Sequence, residues 1–391
     1  MTLLKKTYKS LFVVTSLMMS AQTISSPTII PSAPTMAAKA YVLMDYRSGK
    51  IIAQDNAEER LHPASLTKMM TSYVVGKEIA QGNIKETDMV TVSEKAWGKN
   101  FPDSSKMFIE VGKQVSVADL NRGIIVQSGN DACVAIAEHI AGTESGFADL
   151  MNTWAEQLGM FDSHFVNSHG LDSVDHYTTA SDMAVLARAL IRDVPEEYRI
   201  YSEKSFTYNG ITQHNRNGLL WDKSMNVDGI KTGHTSKAGY SLVSSATKGD
   251  MRLIAVVMGT KSTAARKSES KKLLNFGFRF YESATPYKAG DSLVEQPVWF
   301  GDKKQIKLGL LEDTNLVVYR GQARKLNADF EINQELEAPI AKGDVIGTVF
   351  FNVDGEEVAQ YPLVALEEVQ PGSLFSRIVD YFKKLFADLL N

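Results

Sequence analysis

The chain has a single cysteine, Cys133, in 391 residues. No intrachain disulfide can form, even in an oxidising compartment. The cysteine lies in Asp131-Ala-Cys-Val-Ala-Ile-Ala137, an apolar stretch that reads as a buried helix face, so a small core residue is expected rather than a nucleophile. A long apolar run is also missing. The best candidate, Leu11–Ala21, is broken by Thr15, Ser16 and Ser20 and falls short of the roughly 20 residues a spanning helix needs. Positive charge is not in excess: the formal net charge is −4, which removes the electrostatic case for a nucleic-acid partner. The seven histidines form no His-Glu-x-x-His and no other zinc-like spacing, so neither a metal nor any other cofactor is expected. Internal repeats and low-complexity tracts are absent.

What is present begins at the N-terminus. Lys5, Lys6 and Lys9 ahead of the short apolar run have the layout of a secretory signal, assigned to residues 1–21 with cleavage after Ala21. Residues 22–38, with Pro27, Pro31 and Pro34, suit an extended linker. The remaining length and 44% hydrophobic content allow two or three domains with at least one sizeable core. Ala40–Tyr46 and Ile51–Ala53 around the Ser48-Gly49 turn read as a hairpin. Helical periodicity follows over Ser65 to about Ala80 and over 117–127, 131–141, 145–158 and 180–192. Strand patterns return at 227–232, 239–246 and 252–258, before a helix from about Ala264 to Tyr281. Early strands, a helical middle and late strands predict one α/β domain over 39–282 whose sheet joins both ends of the segment.

Beyond it the texture changes. Short apolar runs such as Leu316–Tyr319, Ala328–Ile332 and Val345–Phe350, with an Asp354-Gly355 turn, predict a small all-β domain over 283–370, read as a spacer. Residues 373–391 place Leu374, Phe375, Ile378, Val379, Phe382, Leu385, Phe386, Leu389 and Leu390 on one helical face and Arg377, Asp380, Lys383, Lys384 and Asp388 on the other. Such a helix is suited to lie in a membrane interface; the plainer alternative is docking on the β domain.

The candidate chemistry lies in three short elements. Ser65-Leu-Thr-Lys68 opens a helix, and a spacing of three puts serine and lysine on one face. A neutral lysine can take the serine proton, and free N–H groups at the helix start can receive an oxyanion. Alone the motif is weak, since Ser245-x-x-Lys248 and Ser268-x-x-Lys271 also occur and a simple N-cap explains Ser65. Ser128-Gly129-Asn130 sits between two helices, but Ser224-x-Asn226 matches the same pattern. Lys231-Thr232-Gly233 ends a strand and has no second copy; the small glycine is expected to let a ligand lie against the strand edge, with lysine and threonine facing its carboxylate. The order of the three is more specific than any one of them. It is the signature of penicillin-binding proteins and serine β-lactamases, with Ser-Gly-Asn here in place of Ser-Asp-Asn.

From these motifs the chain resembles the low-molecular-mass penicillin-binding proteins of the type-five D-alanyl-D-alanine carboxypeptidase group, from about residue 40 to the C-terminal helix. Pro63–Tyr73, Gln127–Cys133, Val227–Thr235, Asn215-Arg-Asn-Gly-Leu-Leu-Trp221 and Pro297–Gly301 carry the likeness. Trp97–Ser105 departs from it, reading as a shorter loop at the cleft rim. The resemblance implies a β-lactamase-like transpeptidase fold and an acyl-enzyme on Ser65, with Lys68 as base and Ser128 relaying a proton. It also implies that Asn130 holds the substrate amide, that the Ser65 and His234 N–H groups form an oxyanion hole, and that Lys231, Thr232, Gly233 and Arg266 line the carboxylate site. Partial burial and the charge of Lys231 are expected to lower the Lys68 pKa. His169, in Ser168–Asp172, is expected to be structural. The implied partners are peptidoglycan stem peptides, β-lactam antibiotics and a membrane surface; the implied location is the periplasmic face of the inner membrane. A β-lactamase (no Glu-x-x-Leu-Asn is evident), a D,D-endopeptidase or transpeptidase, and a non-catalytic receptor are the alternatives.

Overall fold

The computed structural model describes residues 32–332 and 335–390. The expected signal segment and the first part of the linker lie outside them. In chain order the first lobe contains β1 (Ala40–Asp45), β2 (Ile51–Asp55), α1 (Thr67–Ala80), β3 (Met89–Thr91), β4 (Gln114–Ser116), α2 (Val117–Arg122), α3 (Asn130–Ala141), α4 (Glu144–Leu158), α5 (Ala180–Asp193) and α6 (Pro195–Ile200). It continues with β5 (Ser205–Tyr208), β6 (Ile211–His214), β7 (Asn226–Thr235), β8 (Gly239–Lys248), β9 (Met251–Thr260) and α7 (Thr263–Phe280). The second lobe contains β10 (Tyr281–Ala284), β11 (Ser292–Trp299), β12 (Gln305–Gly309), β13 (Leu316–Tyr319), β14 (Leu326–Ile332), β15 (Leu336–Glu337), β16 (Val345–Val353), β17 (Glu356–Ala365) and finally α8 (Leu374–Leu390).

The main sheet runs β2-β1-β9-β8-β7, antiparallel throughout, so the first and last strands of the lobe share one sheet. β9 is central and nearly continuously apolar because both of its faces are covered. One face packs Leu253, Ala255 and Val257 against Leu273, Leu274 and Phe276 of α7. The other packs Ile254, Val256 and Met258 against α1 and α5. α1 is buried almost all round, from Thr67 to Gly76, as a core helix surrounded by other elements must be. β7 is the edge strand. Its free side faces the turn that leads into α1, and this seam forms the cleft.

Two departures from the sequence reading bear on the site. The periodicity at 65–80 suggests one helix, but Ala64–Leu66 form a tighter 3-10 turn and the α-helix starts at Thr67. The expected helix over 117–127 is α-helical only to Arg122. Gly123–Gln127 form a π-helical turn that ends with Ser128 in the left-handed region, φ 62°. Gly123 lies against Met107, whose Sδ would sit 2.2 Å from an added Cβ, so the backbone there packs where no side chain fits. α6, the antiparallel pair β3–β4 and the hairpin β5–β6 were not expected; at three to six residues each element leaves little periodicity to read.

The second lobe is a six-stranded sheet, β14-β16-β17-β12-β11-β15, with the pair β10–β13 beside it. Asp354 and Gly355 have φ of 52° and 88°, the paired positive values of a tight hairpin turn between β16 and β17. Arg320 joins the lobes by donating to the carbonyls of Phe278, Arg279 and Tyr281 at 2.7, 3.1 and 3.0 Å.

Asp131, at the start of α3, is buried and accepts from the N–H groups of Met107, Phe108, Ile109 and Ala132. It holds the 107–109 loop segment against the helix that carries Asn130. Asp131→Ala orphans these donors and is expected to lower stability by about 3 kcal/mol or more, measured by denaturant unfolding. A loss below about 1 kcal/mol contradicts this role.

Candidate active site

The cleft has a volume of about 790 Å³ and is lined by residues of all three motifs. Ser65 lies in the 3-10 turn and Lys68 one turn further on. The Lys68 side chain is wholly buried, and its Nζ lies 3.1 Å from Ser65 Oγ, 2.7 Å from Asn130 Oδ1 and 2.5 Å from the His169 carbonyl. Three acceptors satisfy an ammonium completely. They also define the neutral amine. With its two hydrogens directed at Asn130 and His169, its lone pair points at Ser65 Oγ.

The acceptors are themselves held. Asn130 Nδ2 donates to Ser104 Oγ at 3.0 Å. Thr71 Oγ1 donates to the Ser168 carbonyl at 2.6 Å, and Glu144 Oε1 accepts from Ser168 N and Oγ at 3.1 and 2.7 Å. Gly170 has φ 93°, and a Cβ there would stand 1.9 Å from the Ala64 carbonyl oxygen, so this segment lies directly on the serine turn. His169 is nine-tenths buried and neutral, its pKa pushed to about 3 by burial and then by the Lys68 charge. Its Nδ1 accepts from Leu171 N, which leaves Nε2–H directed at Glu144. The expected structural histidine is therefore also a catalytic neighbour, through its carbonyl.

Lys231 lies across the cleft with Nζ 3.0 Å from Ser128 Oγ. Both side chains are buried. Burial first, and the Lys68 charge second, push Lys231 well below the ordinary lysine range. Lys68 itself falls to about 8, through burial first and then the Arg216 guanidinium, against the raising influence of Cys133 and Asp131. The burial is thus complete rather than partial, and Arg216 is the like charge acting on Lys68. The influence of the lysine pair is seen most strongly on Lys231, which has one side-chain partner where Lys68 has three oxygens.

Thr232 lines the same wall. Gly233 lines the cleft too. A Cβ there would meet the Pro63 carbonyl at 2.8 Å and Leu66 at 3.2 Å, so the glycine lets β7 close on the serine turn. His234 stacks on Tyr240 with ring centroids 3.9 Å apart. Arg266, in the first turn of α7, donates to the Gly233 carbonyl at 3.2 Å and is lowered to about 10 by burial and Arg216. Arg216 was part of a quoted likeness but was not singled out; a lone arginine in a loop has no spacing to mark it. Arg216 and Arg266, with the Lys231 amine beside them, make the far end of the cleft cationic and suited to a carboxylate. Cys133, wholly buried and raised to about 12, is a packing residue.

The pH dependence follows from the sign of the Lys68 shift. With Lys68 as the expected base, the active form is the neutral amine, and acylation of Ser65 is expected to rise with pH through about 8. Between pH 7 and pH 9 the rate increases about tenfold, and Lys68→Ala loses on the order of 10² to 10⁴ in acylation rate. Stopped-flow acylation by a chromogenic penicillin measures both. A flat profile, or near-normal acylation by the variant, contradicts the assignment.

The sequence model of the D-alanyl-D-alanine carboxypeptidase family matches residues 28–262, and that of the penicillin-binding protein 5 C-terminal domain matches residues 281–371. The chain is 51% identical to D-alanyl-D-alanine carboxypeptidase DacA of Escherichia coli over 370 residues, covering 94% of this chain and 92% of the relative. The structure of penicillin-binding protein 5 from Haemophilus influenzae superposes with a TM-score of 0.85 at 52% identity, covering 87% of this chain and 99% of that one. A more distant structure, penicillin-binding protein D2 from Listeria monocytogenes in an ampicillin-bound form, has a TM-score of 0.57 at 26% identity and covers 63% of this chain and all of that one. With a buried lysine under a serine in a shared cleft, and both of its lobes matched, the chain belongs to the D-alanyl-D-alanine carboxypeptidase family of serine peptidases.

Proposed function

We propose that the protein removes the terminal D-alanine from peptidoglycan pentapeptide stems through an acyl-enzyme on Ser65. The observation that carries this reading is the Lys68 amine, buried 3.1 Å below Ser65 Oγ with its other contacts taken, in a cleft whose far end is cationic. The terminal carboxylate binds Lys231, Thr232 and Arg266, with Arg216 adding to the field. Its negative charge favours the ammonium of Lys231 and places the penultimate carbonyl at Ser65. Lys68 takes the Ser65 proton as Oγ attacks. Following the family pattern, the Ser65 and His234 N–H groups receive the oxyanion, and Asn130 holds the substrate amide. On collapse the C–N bond breaks. The proton passes from Lys68 through Ser128 to the leaving amine, and D-alanine departs. Water then attacks the ester, with Lys68 again as base, and the tetrapeptide stem and free Ser65 are regenerated.

A β-lactam presents a strained amide and a carboxylate to the same groups and acylates Ser65 likewise, in keeping with the ampicillin-bound relative. The intact nucleophile and base speak against a receptor role. The matched second lobe and α8 suit a wall enzyme better than a free β-lactamase.

For location, we infer export by the N-terminal segment and residence on the periplasmic face of the inner membrane. Among the described residues no helix is long and apolar enough to cross a membrane. α8 instead exposes Leu374, Phe375, Ile378, Phe382, Leu385 and Phe386, as a helix lying in the interface requires.

Incubation with diacetyl-Lys-D-Ala-D-Ala is expected to release D-alanine from the wild type and none from Ser65→Ala, which also loses all covalent penicillin labelling. Labelling of Ser65 without D-alanine release would point instead to an endopeptidase or transpeptidase.

A further inference from the structure

The sequence sets docking on the β lobe and exposure to a membrane as alternatives for the last helix. In the structure α8 does both, with opposite faces. Ser376, Asp380 and Lys384 recur at four-residue intervals and so form one seam. Lys304 Nζ reaches Ser376 Oγ at 2.9 Å and Asp380 Oδ2 at 2.8 Å. Asp380 also accepts from Phe300 N at 3.1 Å and is only 4% exposed. Lys384 pairs with Glu335 at 2.7 Å and Glu337 at 2.6 Å.

The root of the helix is fixed as well. Gly372 N donates to the Phe300 carbonyl at 2.8 Å, and Gln370 N and Asp302 N bond across the same junction at 3.0 and 2.8 Å. A Cβ on Gly372 would stand 2.6 Å from the Gly301 carbonyl, so the chain runs flush on the lobe with no free linker. The opposite face carries Leu374 and Phe375, more than three-quarters exposed, and Ile378, Tyr381, Phe382, Leu385 and Phe386, each at least half exposed.

Charge follows the same division. Asp380, the one acid of the helix whose surroundings are described, turns inward, while Arg377 and Lys383 remain exposed. The outward surface is therefore apolar and flanked by cations, complementary to an anionic lipid surface.

We propose that α8 is a rigid mount rather than a tether: the Ser376–Asp380–Lys384 seam locks it to the β lobe, so that uptake of its apolar face by an anionic lipid bilayer fixes the height and tilt of the catalytic cleft. The proposal rests on the membrane reading given above and adds the mechanical coupling. The β lobe then acts as a stand of set geometry. Because α8, the β lobe and the Arg320 junction form one hydrogen-bonded series, the orientation imposed at the bilayer is carried to the first lobe.

The test uses the full-length protein with a dye on Lys113→Cys, an exposed position of the first lobe; Cys133 is buried and does not compete for label. Vesicles of phosphatidylcholine and phosphatidylglycerol carry acceptor dyes on their headgroups, and single-molecule energy transfer reports the height of the lobe. The wild type is expected to give one narrow distribution. Asp380→Ala and Lys304→Ala broaden it, and the exchanged pair Asp380→Lys with Lys304→Asp narrows it again. Vesicle affinity changes by no more than about fivefold, the effect of a single charge near an anionic surface. D-alanine release from the soluble tripeptide is unchanged in every variant. A wild type that binds vesicles with a broad distribution is tethered, and the mount is wrong. Equal narrow widths in wild type and variants make the seam irrelevant and also overturn it. A wild type that does not bind vesicles refutes the membrane reading itself.

Discussion

The chemistry depends on one buried amine. Lys68 has no exposed surface, and three oxygens surround its nitrogen. A surface lysine near pH 7 would be almost wholly protonated and useless as a base. Burial lowers the proton affinity, while the Asn130 and His169 oxygens hold the two remaining hydrogens and aim the lone pair. Much of the first lobe can be understood as support for this arrangement. α1 must be a core helix if Lys68 is to be dry. The 167–171 segment must lie on the serine turn if a carbonyl is to reach Nζ, and this contact is close enough to demand Gly170. The π-helical turn sets Ser128 and Asn130 on opposite sides of one glycine, so that one meets Lys231 and the other Lys68.

The second lysine makes the site responsive. Two buried ammonium groups disfavour each other, and Lys231 has the fewer compensating bonds. A substrate carboxylate supplies what Lys231 lacks. Binding thus supports a charge at Lys231, while burial and the Arg216 guanidinium keep Lys68 low. The basic far wall of Arg216 and Arg266 works in the same direction. In the proposed reaction, carboxylate recognition and nucleophile activation share one positively charged wall.

Some of this was legible from residue order. Ser65 and Lys68 at a spacing of three must share a helical face whatever surrounds them, and the Asp354-Gly355 pair needs only its own backbone preferences to form a hairpin turn. β9 shows its centrality in an unbroken apolar run. Other features depend on tertiary contact and leave no local mark. The His169 carbonyl is a backbone atom that any residue would supply, and Arg216 is one cation among many. Gly233 reads as space for a ligand, and nothing in its neighbours tells that the Pro63 carbonyl also lies against it. In α8 the pattern separates polar from apolar faces, but nothing in it tells that Lys304, Phe300 and the 335–337 segment wait for the polar one. The expected signal and most of the expected linker lie outside the described residues.

The central claim is that Lys68 is a base whose proton affinity is depressed chiefly by burial. Its most direct test is a nuclear magnetic resonance titration of ε-¹³C-lysine protein, with Lys68 assigned through a Lys68→Arg control. The account predicts a midpoint near 8 in the free enzyme. A midpoint near the ordinary lysine value of about 10.4 would contradict it.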